Sequence, residues 1–380
     1  MPPKDILAIN VIYKTAFLKK YKVNHMKLLF YINTISNGGA ERVLTNLATE
    51  LSKRGHDCTL ATTFKCAWEY QYGENVKRLS FYEERPKSFF KRNIGIILRL
   101  RKMIRKNKYD ILITFMNESN IRGIISTLGT STKSVISVRN DPKKIYLKPR
   151  NNFFANTLFK KAHLAIFQTE DAKNFFCEKI RRNSRIMYNP VNETFYNTTL
   201  AKERFGIVTM GRLSPQKNHI MLIKAYSLIS DKVKDDLYIY GMGDQSPLVK
   251  LATLLGIENR VHLMGQCNDV SSTLSKSRLF VLSSDYEGMP NALMEAMAVG
   301  IPCISTDCPC GGPRALFPEN IHEYLSPVGN EIAFAERILK VLSSEEEEIR
   351  VANSCKEGAK IFESSRVFDE WDNVLTNLIS

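Results

Sequence analysis

From Met26 onward, short apolar runs alternate with longer amphipathic stretches. Lys27-Leu28-Leu29-Phe30-Tyr31-Ile32 is apolar after its first residue, the pattern of a strand covered on both faces. The turn Ser36-Asn37-Gly38-Gly39 follows. Val43, Leu44, Leu47 and Leu51 then repeat at helical spacing and predict a helix from Ala40 to about Ser52. Further apolar runs predict strands at Cys58–Thr63, Val76–Phe81, Ile111–Phe115, Ser134–Val138, Leu164–Gln168 and Arg185–Tyr188, with helical patterns between most of them. Asn189-Pro190-Val191-Asn192 breaks the alternation and marks the domain boundary. Beyond it the pattern restarts, with strands expected at Gly206–Met210, Leu237–Tyr240, Val261–Met264, Leu279–Ser283 and Cys303–Thr306. Helices are expected at Ile220–Ile229, Leu248–Leu255, Asn291–Val299 and Glu331–Leu342. Strand–helix alternation in both halves predicts an α/β fold of two tandem, doubly wound, Rossmann-like parallel-sheet domains. The expected bounds are 26–189 and 190–365, with a terminal helix over 366–380. Ligands in such sheets bind at the carboxyl ends of strands, so the cleft between the domains is the expected site.

Composition leaves this picture intact. A length of 380 residues suits two domains. Hydrophobic residues at 44% and charged residues at 24% exclude disordered and fibrous classes. No run approaches the ~20 apolar residues that a membrane-spanning helix needs. Eight scattered cysteines fit a reducing compartment. Cys303, Cys308 and Cys310, followed locally by His322 alone, fall short of a zinc set, and no metal is expected.

Charge changes the picture more. The net +15 is unevenly placed: residues 1–200 hold 36 basic and 15 acidic residues, and residues 201–380 hold 18 and 24. The basic half is expected to face something anionic. Residues 85–108 carry ten basic residues and no acidic one. At helical spacing, Phe89, Ile96, Leu100, Met103 and Ile104 share one face, and Lys91, Arg99, Lys102, Arg105 and Lys106 share the opposite one. Ile94 and Leu98 fall on the polar side. This reads as a helix that meets anionic headgroups at a membrane surface. A solvated helix packed on the sheet is the alternative. Residues 1–25 place Ile6, Leu7, Ile9, Val11 and Ile12 before Lys14, Lys19, Lys20 and Lys22. They read either as a basic segment lying on a membrane or as an extension ahead of a native start at Met26. Charge alone also raises nucleic-acid binding, but no aromatic-interleaved basic patch or recognition motif accompanies it, so no nucleic acid is expected as a partner.

Four motifs carry chemistry. In Glu287-Gly288-Met289-Pro290-Asn291, a carboxylate precedes a helix whose free N–H groups and dipole favour anions, and Glu295 follows eight residues after Glu287. The two carboxylates can reach different parts of one elongated ligand. In Gly211-Arg212-Leu213-Ser214-Pro215-Gln216-Lys217, a strand delivers a planar guanidinium and a point charge, a pair suited to a diphosphate. Gly241-Met242-Gly243 follows another strand, and Gly38-Gly39 opens the first helix, where a backbone can approach a ligand closely.

This set resembles the retaining glycosyltransferases of family 4, with the GT-B fold, over most of residues 26–380. The resemblance implies that Arg212 and Lys217 clamp the donor diphosphate without a metal. Glu295 would bind ribose hydroxyls, and Glu287 would touch the transferred sugar as the carboxylate nearest the reaction. Gly288, Met289, Pro290 and Asn291 would line sugar and phosphate, Gly38, Gly39 and Gly243 would lie near the donor, and Gln266 near the base. Many members carry a histidine on the loop after the fifth strand. Here Ser137-Val138-Arg139-Asn140-Asp141-Pro142 has none, and Arg139 takes the position. That points to a cation contacting a sugar or phosphate on the acceptor side; a simple surface arginine is the other reading. The implied mechanism is front-face substitution, and the implied terminal helix crosses back to the first domain, with Trp371 and Leu375 as anchors. Phe115–Asn120, Ser137–Pro142 and Cys308–Pro313 look most like bacterial enzymes of capsule, O-antigen or glycan assembly. The implied partners are a nucleotide-diphosphate sugar, UDP-linked, a polyprenyl-diphosphate-linked sugar acceptor and an anionic inner-membrane surface, with the protein peripheral on the cytoplasmic face. A GT-B nucleotide-sugar 2-epimerase is the alternative enzyme, and the Arg212, Lys217, Glu287 and Glu295 set argues against it.

Overall fold

The computed structural model describes residues 25–36 and 38–380. Most of the N-terminal extension, and Asn37 of the first turn, lie outside the described residues. The first sheet holds β1 (Lys27–Ile32), β2 (Asp57–Phe64), β3 (Lys77–Tyr82), β4 (Ile111–Phe115), β5 (Lys133–Ser137), β6 (Leu164–Phe167) and β7 (Ser184–Ile186). Their order is β3-β2-β1-β4-β5-β6-β7, and every pairing is parallel. The second sheet holds β8 (Ile207–Met210), β9 (Leu237–Tyr240), β10 (Val261–Gly265), β11 (Leu279–Leu282), β12 (Cys303–Thr306) and β13 (Leu325–Ser326). Its order is β10-β9-β8-β11-β12-β13, again parallel throughout. The expected strands are therefore present within two residues at each end. The two-residue strand β13 is an addition, too short to leave an apolar run.

Burial explains the runs. Every residue of β4, β11 and β12 is buried, because parallel strands are covered by helices on both faces. The edge strand β3 is more exposed. Helix α1 (Gly39–Lys53) turns Val43, Leu44, Leu47 and Leu51 into the first core. Helix α2 (Ile96–Asn107) covers the other face through Ile96, Leu100 and Ile104. Phe89, expected on that same face, is instead 70% exposed. Residues Lys91–Gly95 form a π-helical turn, whose wider repeat shifts the register that a 3.6-residue period assumes. Ile94 and Leu98 are exposed too.

Two stretches cross between the domains side by side. Val191 N donates to Phe362 O at 2.8 Å, and Ser364 N donates to Val191 O at 3.1 Å. The crossing thus closes like a two-stranded hinge. Beyond it, the last helix, Ser364–Ile379, packs Val367, Phe368, Trp371 and Leu375 into the core of the first sheet. The Trp371 and Phe115 rings lie 6.1 Å apart. The first domain is therefore closed by the end of the chain.

Candidate active site

In each sheet the strand order reverses beside one strand: between β1 and β4, and between β8 and β11. Loops leaving carboxyl ends at such a switch point diverge and leave a crevice. Here the two crevices face each other across a cavity of about 410 Å³. Its lining comes from the carboxyl ends of strands: Gly38–Arg42 after β1, Met116 after β4, Arg139 after β5, Gln168 after β6, Asn189 after β7, Arg212–Lys217 after β8 and Glu287–Glu295 after β11.

The C-terminal wall is built around Asn291–Val299, the helix whose N-terminus opens on the cavity. Glu287 lies just before it and is 6% exposed. Its carboxylate accepts from Lys217 Nζ at 2.5 Å and from Ser284 Oγ at 2.7 Å, with Gln216 Nε2 at 3.4 Å. Lys217 can lie there because Gly211 has no side chain; a Cβ on Gly211 would stand 3.0 Å from Lys217 Cε. Gly288 meets the other domain, where a Cβ would come 2.6 Å from Arg139 O and 2.7 Å from Gln168 Oε1. Gly312 in turn packs its Cα on the Gly288 carbonyl, so this second glycine loop buttresses the wall. Glu295, one helix turn deeper, is 7% exposed and bonded to Arg42 of α1.

Of the donor-side residues expected from the sequence, Arg212, Lys217, Glu287, Gly288, Met289, Pro290, Asn291, Glu295, Gly38 and Gly39 all line the one cavity. Gly243 and Gln266 do not. Gly243 sits beneath the Arg212 loop, where a Cβ would clash with Leu213 at 2.6 Å, and Gln266 is exposed beyond β10. Arg139, expected either to contact a sugar or phosphate or to be a simple surface arginine, is not at the surface: it is 9% exposed in the cavity wall, because the β5 loop folds inward over Phe115. Lys91, Arg99, Lys102 and Arg105 lie on the exposed side of the basic helix, away from the cavity.

Three wall residues were given no role at the site by the sequence. Arg42 reaches Glu295 from the other domain, and the charge of Glu295 raises its pKa. Glu41 lines the same wall, and burial raises its carboxyl above the usual range. Asn189 joins both domains. Its Oδ1 accepts from Arg139 Nη1 at 2.6 Å and Gln168 Nε2 at 2.8 Å, and its Nδ2 donates to Asn291 Oδ1 at 2.7 Å and Met289 O at 3.2 Å. Sequence reading placed Asn189 as a break between domains; its polar side chain at the crossing was the available signal.

The arrangement offers cations and a helix N-terminus to a diphosphate, and buried carboxylates to hydroxyl groups. Cys308 and Cys310 are buried beside it, and burial pushes both thiols up, Cys310 to about 12, which disfavours the thiolate form. Among the described residues, no three His, Cys, Asp or Glu side chains gather as a metal site.

The family model for glycosyl transferases group 1 matches residues 191–360, and that for glycosyltransferase family 4 matches residues 37–195. A Campylobacter jejuni enzyme, GalNAc-alpha-(1->4)-GalNAc-alpha-(1->3)-diNAcBac-PP-undecaprenol alpha-1,4-N-acetyl-D-galactosaminyltransferase, is 26% identical over 91% of this chain and 97% of its own. The Escherichia coli UDP-Gal:alpha-D-GlcNAc-diphosphoundecaprenol alpha-1,3-galactosyltransferase is 25% identical over 66% of this chain and 72% of its own. Among solved structures, Anabaena HepE in complex with UDP-glucose superposes with a TM-score of 0.78 at 18% identity, covering 93% of this chain and 100% of that one. One family model falls on each sheet domain, the two meet at the domain crossing, and the chain belongs to the family 4 type glycosyltransferases, built on the GT-B fold.

Proposed function

We propose that the protein moves a sugar from a UDP-linked donor to a sugar carried on a polyprenyl diphosphate, with retention of anomeric configuration and without a metal. The observation that carries this reading is the single cavity in which Lys217, Arg212 and a helix N-terminus face two buried carboxylates. Lys217 and Arg212 supply positive charge where the leaving diphosphate develops negative charge. Lys217 and Ser284 both engage Oε1 of Glu287 and fix the carboxylate in place, while Oε2, with only Gln216 at 3.4 Å, is left to accept sugar hydroxyl bonds, a role that suits a fixed acceptor better than an attacking nucleophile. Front-face substitution fits that wall: a leaving phosphate oxygen takes the proton of the incoming hydroxyl. Glu295, tied to Arg42, is the acceptor for the ribose hydroxyls. The polyprenyl-linked acceptor rests on the names of the Campylobacter and Escherichia relatives.

The basic helix then faces the membrane that holds this acceptor, at the cytoplasmic surface. Lys91, Arg99, Lys102 and Arg105 are exposed beside Phe89, Ile94 and Leu98. Arg101 of that helix bonds the carbonyls of Ser126 and Leu128, at the end of the helix Asn117–Thr127. Between that helix and Pro149–Leu158 lies a mainly apolar groove of about 740 Å³, edged by Lys148 and Lys161. The apolar tail of the acceptor lipid suits that groove, with its diphosphate at the lysines. Transfer from a panel of nucleotide sugars to a lipid-linked acceptor, with EDTA present, tests the reading.

A further inference from the structure

Four cationic side chains line the cavity: Arg42, Arg139, Arg212 and Lys217. Arg42 is compensated by Glu295 and Lys217 by Glu287. Arg212 is exposed to solvent. Arg139 is in neither condition. Its guanidinium lies 3.8 Å from the centroid of the Phe115 ring, and its Nη1 donates to Asn189. Its Nε and Nη2 are buried without a hydrogen-bond partner. Among the described residues, no carboxylate pairs with it within salt-bridge reach.

Buried donors are satisfied almost everywhere in folded proteins, and a buried charge without a counter-ion is kept at a cost. Burial pushes the Arg139 pKa down to about 9, which still leaves the group cationic at neutral pH. Among the described residues, its contacts within the protein are the Phe115 ring and one amide oxygen, with no ion pair. Asn189 Oδ1 also accepts from Gln168, so losing Arg139 would leave no orphaned amide there. The two unpartnered groups are informative together. Nε–H and Nη2–H are the neighbouring, parallel donors of a guanidinium, the edge that takes both oxygens of a carboxylate or two oxygens of a phosphate.

We propose that Arg139 is a binding residue for an oxyanion carried by the substrate, which enters the cavity beside Gly288 and takes the Nε–H and Nη2–H pair. The proposal deepens the donor reading and rests on it for the location of the ligand. Two sources share this chemistry: a carboxylate on an acidic sugar, and a phosphate of a diphosphate ester. A carboxylate would make Arg139 the selector of acidic over neutral sugars. A phosphate would make it a further contact to the diphosphate, from the domain opposite Lys217.

The test compares the full chain with its Arg139→Met and Arg139→Lys variants, by calorimetric titration with pyrophosphate, UDP, UDP-glucose and UDP-glucuronate, and by thermal melting without ligand. Arg139→Met is expected to melt no lower than the unaltered protein, because it removes a charge that lacks a counter-ion. Its affinity is expected to fall about tenfold or more. A fall for all four probes identifies a phosphate; a fall for UDP-glucuronate alone identifies a carboxylate. Arg139→Lys, which keeps the charge and loses the fork, is expected to recover only part of the affinity. Unchanged affinities in Arg139→Met overturn the proposal, and so does a melting temperature that falls together with the affinities, the mark of a structural arginine. Failure of the unaltered protein to prefer uridine nucleotides over pyrophosphate refutes the donor reading instead, and pyrophosphate and apo melting still judge Arg139.

Discussion

At the scale of single residues, the cavity is an arrangement of charges held by neighbours. Lys217 and Glu287 hold each other at 2.5 Å, and Ser284 fixes the carboxylate from below. Lys217→Ala removes the clamp charge and leaves Glu287 without its cation. Turnover is expected to fall about 100-fold or more in an assay of nucleotide release, the range for losing a group aimed at developing charge. Full activity in that variant would show that Lys217 is no part of the clamp. Both residues were legible in the sequence because each belongs to a compact motif with chemistry of its own; their pairing across 70 residues was not. Arg42 was not legible, because its partner Glu295 stands 253 residues away and nothing in either motif announces the pairing. Arg139 was legible as a departure from a family pattern, but its burial was not, since the turn of a loop leaves no periodic trace.

At the scale of elements, the apolar runs located the strands because parallel strands must bury both faces. The π-helical turn at Lys91–Gly95 defeated the same reasoning for Phe89, since a pattern read at one period cannot register a change of period. The helix Glu345–Ala359 shows how local chemistry sets a boundary. Ser344 caps it, accepting from Glu347 N at 3.2 Å, and four glutamates fill its first turn, where the helix dipole favours them. The Glu347 side chain turns instead to Arg350, at 2.7 Å and 2.8 Å, and to Tyr324. Arg350 first, and then Tyr324, hold its carboxyl down to about 2, against 4.5 unperturbed. A carboxyl lowered by folding stabilises the protein above its unfolded pKa, and that stabilisation fades as pH falls through the folded value. Glu347→Gln is therefore expected to cost about 1 kcal/mol in urea unfolding at neutral pH, a modest figure because solvent screens the pair. The difference should close between pH 4.5 and about 2. A deficit that stays constant across that window would mean that the glutamate charge does not stabilise this helix.

At the scale of the whole molecule, two domains share one site, and the chain ties them at several points. The crossing at Val191 and Ser364, the Asn189 amide, the Thr169 Oγ1 to Cys310 O bond at 2.6 Å and the Arg42–Glu295 pair all span the domains. The net +15 divides unevenly, with the excess on residues 1–200, and part of it lies on an exposed helix face bearing Phe89, Ile94 and Leu98. None of the exposed basic residues of that helix lines the cavity, so the proposed contact with anionic lipid would leave the site open. The protein is expected to float with vesicles containing anionic lipid, and less so as salt rises. Changing Lys91, Arg99, Lys102 and Arg105 to Glu should abolish flotation while nucleotide binding remains. Undiminished flotation of that variant would remove the helix from any membrane role.

The two-domain architecture was legible from alternation alone, and the cleft followed from the rule that open parallel sheets bind at their carboxyl ends. The reaction is the claim on which the account stands. The measurement that reaches it most directly is transfer from a panel of nucleotide sugars to a polyprenyl-diphosphate-linked sugar in the presence of EDTA, with the product anomer read by NMR. The account predicts release of UDP, undiminished by EDTA, and a product with the anomeric configuration of the donor. An inverted product, or activity abolished by EDTA and restored by a divalent cation, would contradict it.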